Sequence, residues 1–134
     1  VNINGEKQTI RLLLLDTSEY VSRKILPQKM GKEAYTFLME QIKEKSVTFV
    51  YDHGPKEDKY GRKLAYVFCE GMHINELMVK SAYGIVAYIS KPNTTLLPHM
   101  LESEKEAKAS KAGVWNIKGF VDNKIRHYNR NDAS

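Results

Sequence analysis

Apolar positions along the chain follow two rhythms, and their alternation orders the elements. After the turn-like Asn4-Gly5, Gln8 to Leu15 are apolar and β-compatible, which predicts a hairpin whose partner strand lies at or before Val1. Leu12 to Leu15 form an uninterrupted run that reads as a strand buried on both faces, ending at Asp16-Thr17-Ser18-Glu19. A polar loop follows, carrying Arg23 and Lys24. From about Gln28 to Lys45, Ala34, Phe37, Leu38 and Ile42 recur at helical spacing among Lys and Glu, predicting an amphipathic helix. Ser46 to Tyr51 is β-branched and aromatic, a strand broken by His53-Gly54-Pro55; Leu64 to Cys69 reads as the next. Ile74, Leu77, Met78 and Ala82 predict a short helix ended by Gly84, Ile85 to Ile89 a short strand, and Leu97 to Lys111 a third helix with Gly113 beyond its end. The stretch from Lys118 is polar, with Phe120, Val121 and Ile125 as its only anchors.

Strands concentrated in the first two-thirds, with helices between and after them, predict an α+β domain on a curled sheet. Periodicity leaves barrel and sandwich equally open. At 134 residues the chain suits one domain, and its 42% hydrophobic and 28% charged residues are those of a globular protein. A single cysteine excludes an internal disulfide framework and multi-cysteine zinc sites. Twenty-one Lys and Arg against 16 Asp and Glu leave a net charge of +5, which favours polyanions without requiring them. No stretch approaches the ~20 apolar residues of a membrane helix. The chain starts at Val1 without an apolar leader and reads as a piece of a longer protein.

No Gly-rich phosphate loop and no His-Glu-x-x-His motif appears. His53, His73, His99 and His127 lack ligand-like spacing and read as surface or turn residues. Cys69, closing an apolar strand, reads as a small buried group. Two constellations remain. Asp16 and Glu19 could hold a hard cation and activate a water, because such ions take oxygen ligands; a polar turn is the simpler reading of the same residues. Asp58-Lys59-Tyr60-Gly61-Arg62 is a cationic loop with an aromatic, suited to phosphate and base but equally a solvated hairpin loop. Arg11, within the apolar run, must find an anion or reach solvent.

The segments Arg11-Leu-Leu-Leu-Leu-Asp16-Thr17-x-Glu19, Asp58-Lys59-Tyr60-Gly61-Arg62-x-Leu64-Ala65-Tyr66 and Val86-Ala87-Tyr88-x-x-Lys91-Pro92-Asn93 resemble the staphylococcal nuclease (thermonuclease) family. Gly31-x-Glu33-Ala34 and Glu104-x-x-Ala107 match as well, so the resemblance covers Arg11 to Trp115. It implies an OB-type five-stranded β-barrel with three α-helices over residues 1–117, its first strand truncated here, followed by a polar tail over 118–134. It also implies calcium-dependent hydrolysis of DNA and RNA that leaves 3′-phosphates. Arg11 and Arg62 would grip the scissile phosphate, Glu19 would act as general base, and Asp16 and the Thr17 carbonyl would ligate Ca2+. Lys59, Tyr60 and Tyr88 would hold the terminal phosphate and pack on the nucleotide.

Three departures stand out. The family's further calcium-ligating aspartate belongs to an Asp-Gly-Asp-Thr segment just ahead of Val1, a second tyrosine position is Ser90, and Ser18 replaces a proline. The family implies an extracellular or cell-surface protein acting as a monomer, with strand exchange open to a chain lacking its first strand. The rival reading is a non-catalytic OB-type nucleic-acid-binding module. The acids Asp16 and Glu19 argue against it, since a module that only binds polyanions has no use for them.

Overall fold

The computed structural model describes residues 2–3, 6–17, 30–122, 124 and 126–128. At the N-terminus β1 (Asn2–Ile3) pairs antiparallel with β2 (Glu6–Lys7), Ile3 opposite Glu6, so the partner strand lies after Val1 and pairs ahead of Gln8 rather than with the apolar run. β3 (Ile10–Leu12) lies parallel to β6 (Lys63–Cys69), with Arg11 opposite Leu64. β5 (Val47–Val50) and β7 (Met72–His73) both pair antiparallel with β6. β4 (Asp16–Thr17) pairs instead with β8 (Gly84–Ile85). The helices are α1 (Gly31–Ile42), α2 (Ile74–Lys80) and α3 (Leu97–Ala109), and β9 (Val121–Asp122) pairs with β10 (His127–Tyr128).

The mixed α+β composition and the three helices are those expected. The five-stranded closure is not: pairings among the described residues form four separate sheets and no closed barrel. The cause lies in the leucine run. It is not one strand but a strand and a turn, with Leu14 in the left-handed region at φ 60°. An L-residue there costs roughly 1–2 kcal/mol, and complete burial of the Leu14 side chain offsets it. The turn sends β3 to β6 and β4 to β8, so no continuous ladder joins them.

Asn75 braces this turn from below. Fully buried on α2, it accepts the Val67 N–H at 2.9 Å and donates to the carbonyls of Leu13 (2.9 Å) and Ala65 (3.4 Å). Around it Leu13, Leu14, Tyr66, Val67, Ile74, Met78, Val79 and Met100 form the main core between β6 and the helices α2 and α3. Cys69 is buried and free, as a small apolar group would be.

Two helix ends differ from expectation for one local reason. α2 stops at Lys80 because Ala82 takes the left-handed conformation (φ 64°), and Lys111 (φ 55°) does the same beyond α3. Gly84 and Gly113 serve close approach, Gly113 at a positive φ of 48° as well. An added Cβ on Gly113 would sit 2.1 Å from the Ala82 carbonyl oxygen, against which the Val114 N–H donates at 3.0 Å. On Gly84 it would meet Leu15 Cδ1 at 2.6 Å.

The start of α3 is held by Asp52, whose carboxylate accepts from the Tyr66 hydroxyl (2.5 Å), the Thr95 N–H (2.9 Å) and hydroxyl (2.6 Å), and the His53 N–H (2.7 Å). Burial pushes its pKa up, but these bonds together outweigh burial and hold it down at about 2. The Asp52 contribution is therefore present above the ordinary value of 3.8 and fades as pH falls towards 2. Asp52→Asn is expected to cost about 1.5–3 kcal/mol at neutral pH, the worth of hydrogen bonds to a charged group. It should also flatten the loss of stability between about pH 4 and pH 2. Urea unfolding at neutral and acid pH checks both.

Of the anchors expected in 118–134, Phe120 is in the core and Ile125 lies outside the described residues, while Tyr128 is a core residue that the polar composition conceals. Phe120 and Tyr128 stack at 4.8 Å and, with Ile85, Ala87 and Val114, form a second apolar cluster beside β8. The polar stretch is thus docked onto the domain as far as Tyr128.

Candidate active site

The Leu14 turn sets Arg11 and Asp16 at the lining of one cavity of about 500 Å³, which also takes in Thr17, Arg62 and Tyr88. Its floor is apolar, formed by Leu12, Leu15, Leu38 and Met78, and one side is α1, where Gly31, Ala34 and Tyr35 face it. Five of the eight proposed site residues, from three distant stretches of sequence, are brought together here. Lys59 and Tyr60 are not among the lining residues, and Glu19 lies outside the described residues.

Arg11 sits mid-strand in β3, half-buried, with its guanidinium carbon 3.9 Å from the centre of the Tyr88 ring. The ring supports the guanidinium by a cation–π contact, and half-burial at the cavity lining gives it the access to solvent that an arginine in an apolar run requires. Tyr88 is itself left-handed (φ 54°), so the backbone after β8 bends to present the ring at the cavity.

Arg62 is presented by a tight, internally bonded turn. Asp58 accepts the N–H groups of Tyr60 (2.9 Å) and Arg62 (3.0 Å) and the Arg62 Nε–H at 2.6 Å, while Gly61 supplies a φ of +79°. Burial is the largest single influence on the Asp58 pKa and raises it, but the bonds from Arg62 and Tyr60 and the Arg62 charge together more than reverse it, so the carboxyl stays below its usual range. Tyr60 is 71% exposed at the tip of this turn, with the Lys59 ammonium 5.2 Å and the Arg62 guanidinium 5.4 Å from its ring. These two residues form an outer ledge joined to the cavity through Arg62.

Asp16 and Thr17 are not a turn, since both pair across to β8. The Asp16 carbonyl accepts the Tyr128 hydroxyl at 3.0 Å, and its carboxylate stands 3.7 Å from His127 Nδ1. Burial, with the Asp16 charge second, pushes the Tyr128 hydroxyl pKa upward, so it remains a donor. Among the described residues no three His, Cys, Asp or Glu side chains converge as a metal cluster. The donors present at the cavity, the Asp16 carboxylate and the Thr17 backbone, are hard oxygens that fit calcium in type. They would fill two of its about six to eight positions.

Several residues at or behind the cavity carry no sequence signal strong enough to single them out. Tyr35 is a half-exposed aromatic on a helix face. His127, read from sequence as a surface residue, sits edge-on to Tyr88 at 5.5 Å. Glu104 belongs to a matched motif yet is not among the lining residues of this cavity. It is buried and accepts the Val86 N–H at 2.7 Å. Asn93, from another matched motif, likewise serves the scaffold: it accepts the Gly54 N–H (2.7 Å) and donates to the Pro55 carbonyl (3.1 Å).

Residues 9–117 match the family described as staphylococcal nuclease homologues. The chain belongs to the staphylococcal nuclease family. Among its relatives, an uncharacterised protein of Bacillus anthracis is 77% identical over the whole chain, which spans 63% of that protein. The endonuclease YncB of Bacillus subtilis is 36% identical over 90% of the chain and 57% of its own length. The thermonuclease of Staphylococcus hyicus is 30% identical over 87% of the chain and 68% of its own. The chain thus spans less than two-thirds of the first two relatives. The staphylococcal nuclease match ends before β9, so the His127 and Tyr128 contacts to Asp16 lie outside it.

Proposed function

We propose that this chain is a calcium-dependent nuclease that hydrolyses phosphodiester bonds of DNA and RNA to leave 3′-phosphates, built on an OB-type frame. The observation that carries the reading is the single cavity shared by Arg11, Arg62, Asp16, Thr17 and Tyr88. Two cations facing one carboxylate suit a phosphodiester, whose charge grows as the phosphorus gains a fifth ligand. Arg11 and Arg62 grip the phosphate oxygens and strengthen their hold as that charge develops. Asp16 and the Thr17 carbonyl would hold Ca2+, which when bound neutralises the phosphate and polarises it towards attack. Glu19 takes the proton of the attacking water. Tyr88 packs on the nucleotide, while Lys59 and Tyr60 receive a terminal phosphate at the ledge. Action as a monomer outside the cell belongs to the same proposal and rests on the resemblance alone.

A purely binding role would use the Arg11 and Arg62 cations, but the Asp16 carboxylate beside them would only weaken their hold on a polyanion. The test is incubation of the protein with single-stranded DNA and with RNA, in calcium and in chelator. Cleavage only in calcium, yielding 3′-phosphate ends, is the expected outcome. Binding without cleavage in any divalent metal would return the chain to the binding-module reading.

A further inference from the structure

The C-terminal hairpin, β9 and β10, reaches the rim of the cavity and is held there by buried chemistry. Arg126 Nη1 donates to both Glu104 carboxylate oxygens (2.8 and 2.9 Å) and to the Val86 carbonyl at 2.9 Å. Glu104 in turn accepts the Val86 N–H, so one ion pair ties the hairpin to the backbone two residues before Tyr88. Tyr128 fastens the hairpin on the other side, through Asp16 and the Phe120 ring.

Between these anchors stands His127. Its ring meets Tyr88 at 5.5 Å and 67°, an edge-to-face pair. Its side chain is 47% exposed, as is Tyr88. Arg11 lies against the same Tyr88 ring. The rim therefore offers two half-open rings beside the cations of the cavity. A planar base with a sugar and an anionic phosphate supplies what both parts lack, and Ser90, where the resemblance places a second tyrosine, leaves that wall one ring short.

We propose that His127 is a substrate-binding residue, forming with Tyr88 a two-ring platform for the sugar and base next to the phosphate held by Arg11 and Arg62. The assignment rests on the nuclease reading for what is bound, but its test includes binding without turnover. Anisotropy of a short labelled single-stranded oligodeoxynucleotide in chelator reports binding, and steady-state cleavage in calcium reports KM and kcat. His127→Ala should weaken binding and raise KM about 5-fold or more, the lower end of a base–aromatic stack. Its kcat should stay within about 2-fold, and His127→Phe should restore Kd and KM, since the ring and not the ring nitrogen is what acts. The half-exposed position leaves the core untouched, and matched thermal melts check this.

Wild-type Kd and KM in His127→Ala would overturn the platform while leaving the nuclease reading intact. A kcat loss that Phe does not rescue would also overturn it, assigning His127 to the Asp16 carboxylate instead. Binding that follows the predicted series in a protein that shows no cleavage with any divalent metal would sink the nuclease reading and keep the platform. A wild-type protein that neither binds nor cleaves the oligonucleotide would remove both.

Discussion

Arg62→Lys is expected to lower kcat on single-stranded DNA by about 10²–10³-fold, the usual cost of one electrostatic donor aimed at developing charge. KM should change far less, because a lysine keeps the positive charge that draws a phosphate to the cavity. What it loses is the planar fork. Arg62 lies in a turn in which three donor groups converge on Asp58, one of them its own Nε, so the guanidinium plane is fixed before substrate arrives. A lysine has no Nε–H to donate to Asp58 while a second nitrogen faces the phosphate, so its ammonium on a flexible stem is not held in that way. The same turn predicts that Asp58→Asn acts in the same direction with smaller effect, by loosening the fork without removing it. Steady-state kinetics on the folded variants separates the two parameters. A near-normal kcat in Arg62→Lys would remove Arg62 from the transition state.

The largest stability loss is expected from Arg126→Ala. Glu104 is 6% exposed and its carboxylate already serves the Val86 N–H; without Arg126 it becomes a buried charge lacking its cation. Breaking a buried pair from one side costs about 3–5 kcal/mol, and the partial exposure of Arg126 places this case at the lower end, near 3. Glu104→Gln combined with Arg126→Ala should recover part of the loss, because the amide still accepts the Val86 N–H and leaves no charge behind. Denaturant unfolding of the two variants tests this, and equal stability of both would mean that the charge itself is not what destabilises. Since Val86 leads to Tyr88, both variants should also weaken oligonucleotide binding.

The family and most of the candidate site were legible in the chain because they rest on local motifs. Arg11 to Asp16 and Asp58 to Arg62 each lie within a few residues, so spacing alone shows their grouping. The second gains its geometry from a self-contained turn on Asp58. Helix positions were equally legible, as three apolar stripes at 3.6-residue spacing find their partners in α1, α2 and α3. Glu19 falls outside the described residues, so its role stands on the resemblance.

Other features depended on contacts that no local pattern records. The leucine run looks like one strand, since four identical apolar residues carry no periodicity, and the turn at Leu13 and Leu14 is held by distant partners, Asn75, Ala65 and Ala87. That turn aims Arg11 and Asp16 into the same space. Glycine marked helix ends poorly here. Ala82 and Lys111 bear the left-handed backbone nearest the helix ends, while Gly84 and Gly113, the latter also at positive φ, are needed where other groups pass too close for a Cβ.

The sequence by itself determined the family, the helices and the residue types of a phosphate site, all properties of neighbours along the chain. Tertiary structure alone decided that these types share one cavity, and that a polar-looking stretch beyond residue 117 supplies Tyr128 and His127 to Asp16. The physical reason is range. Asp16 and Tyr128 are 112 residues apart, and a hydrogen bond between them leaves no trace in the local hydrophobic pattern of either.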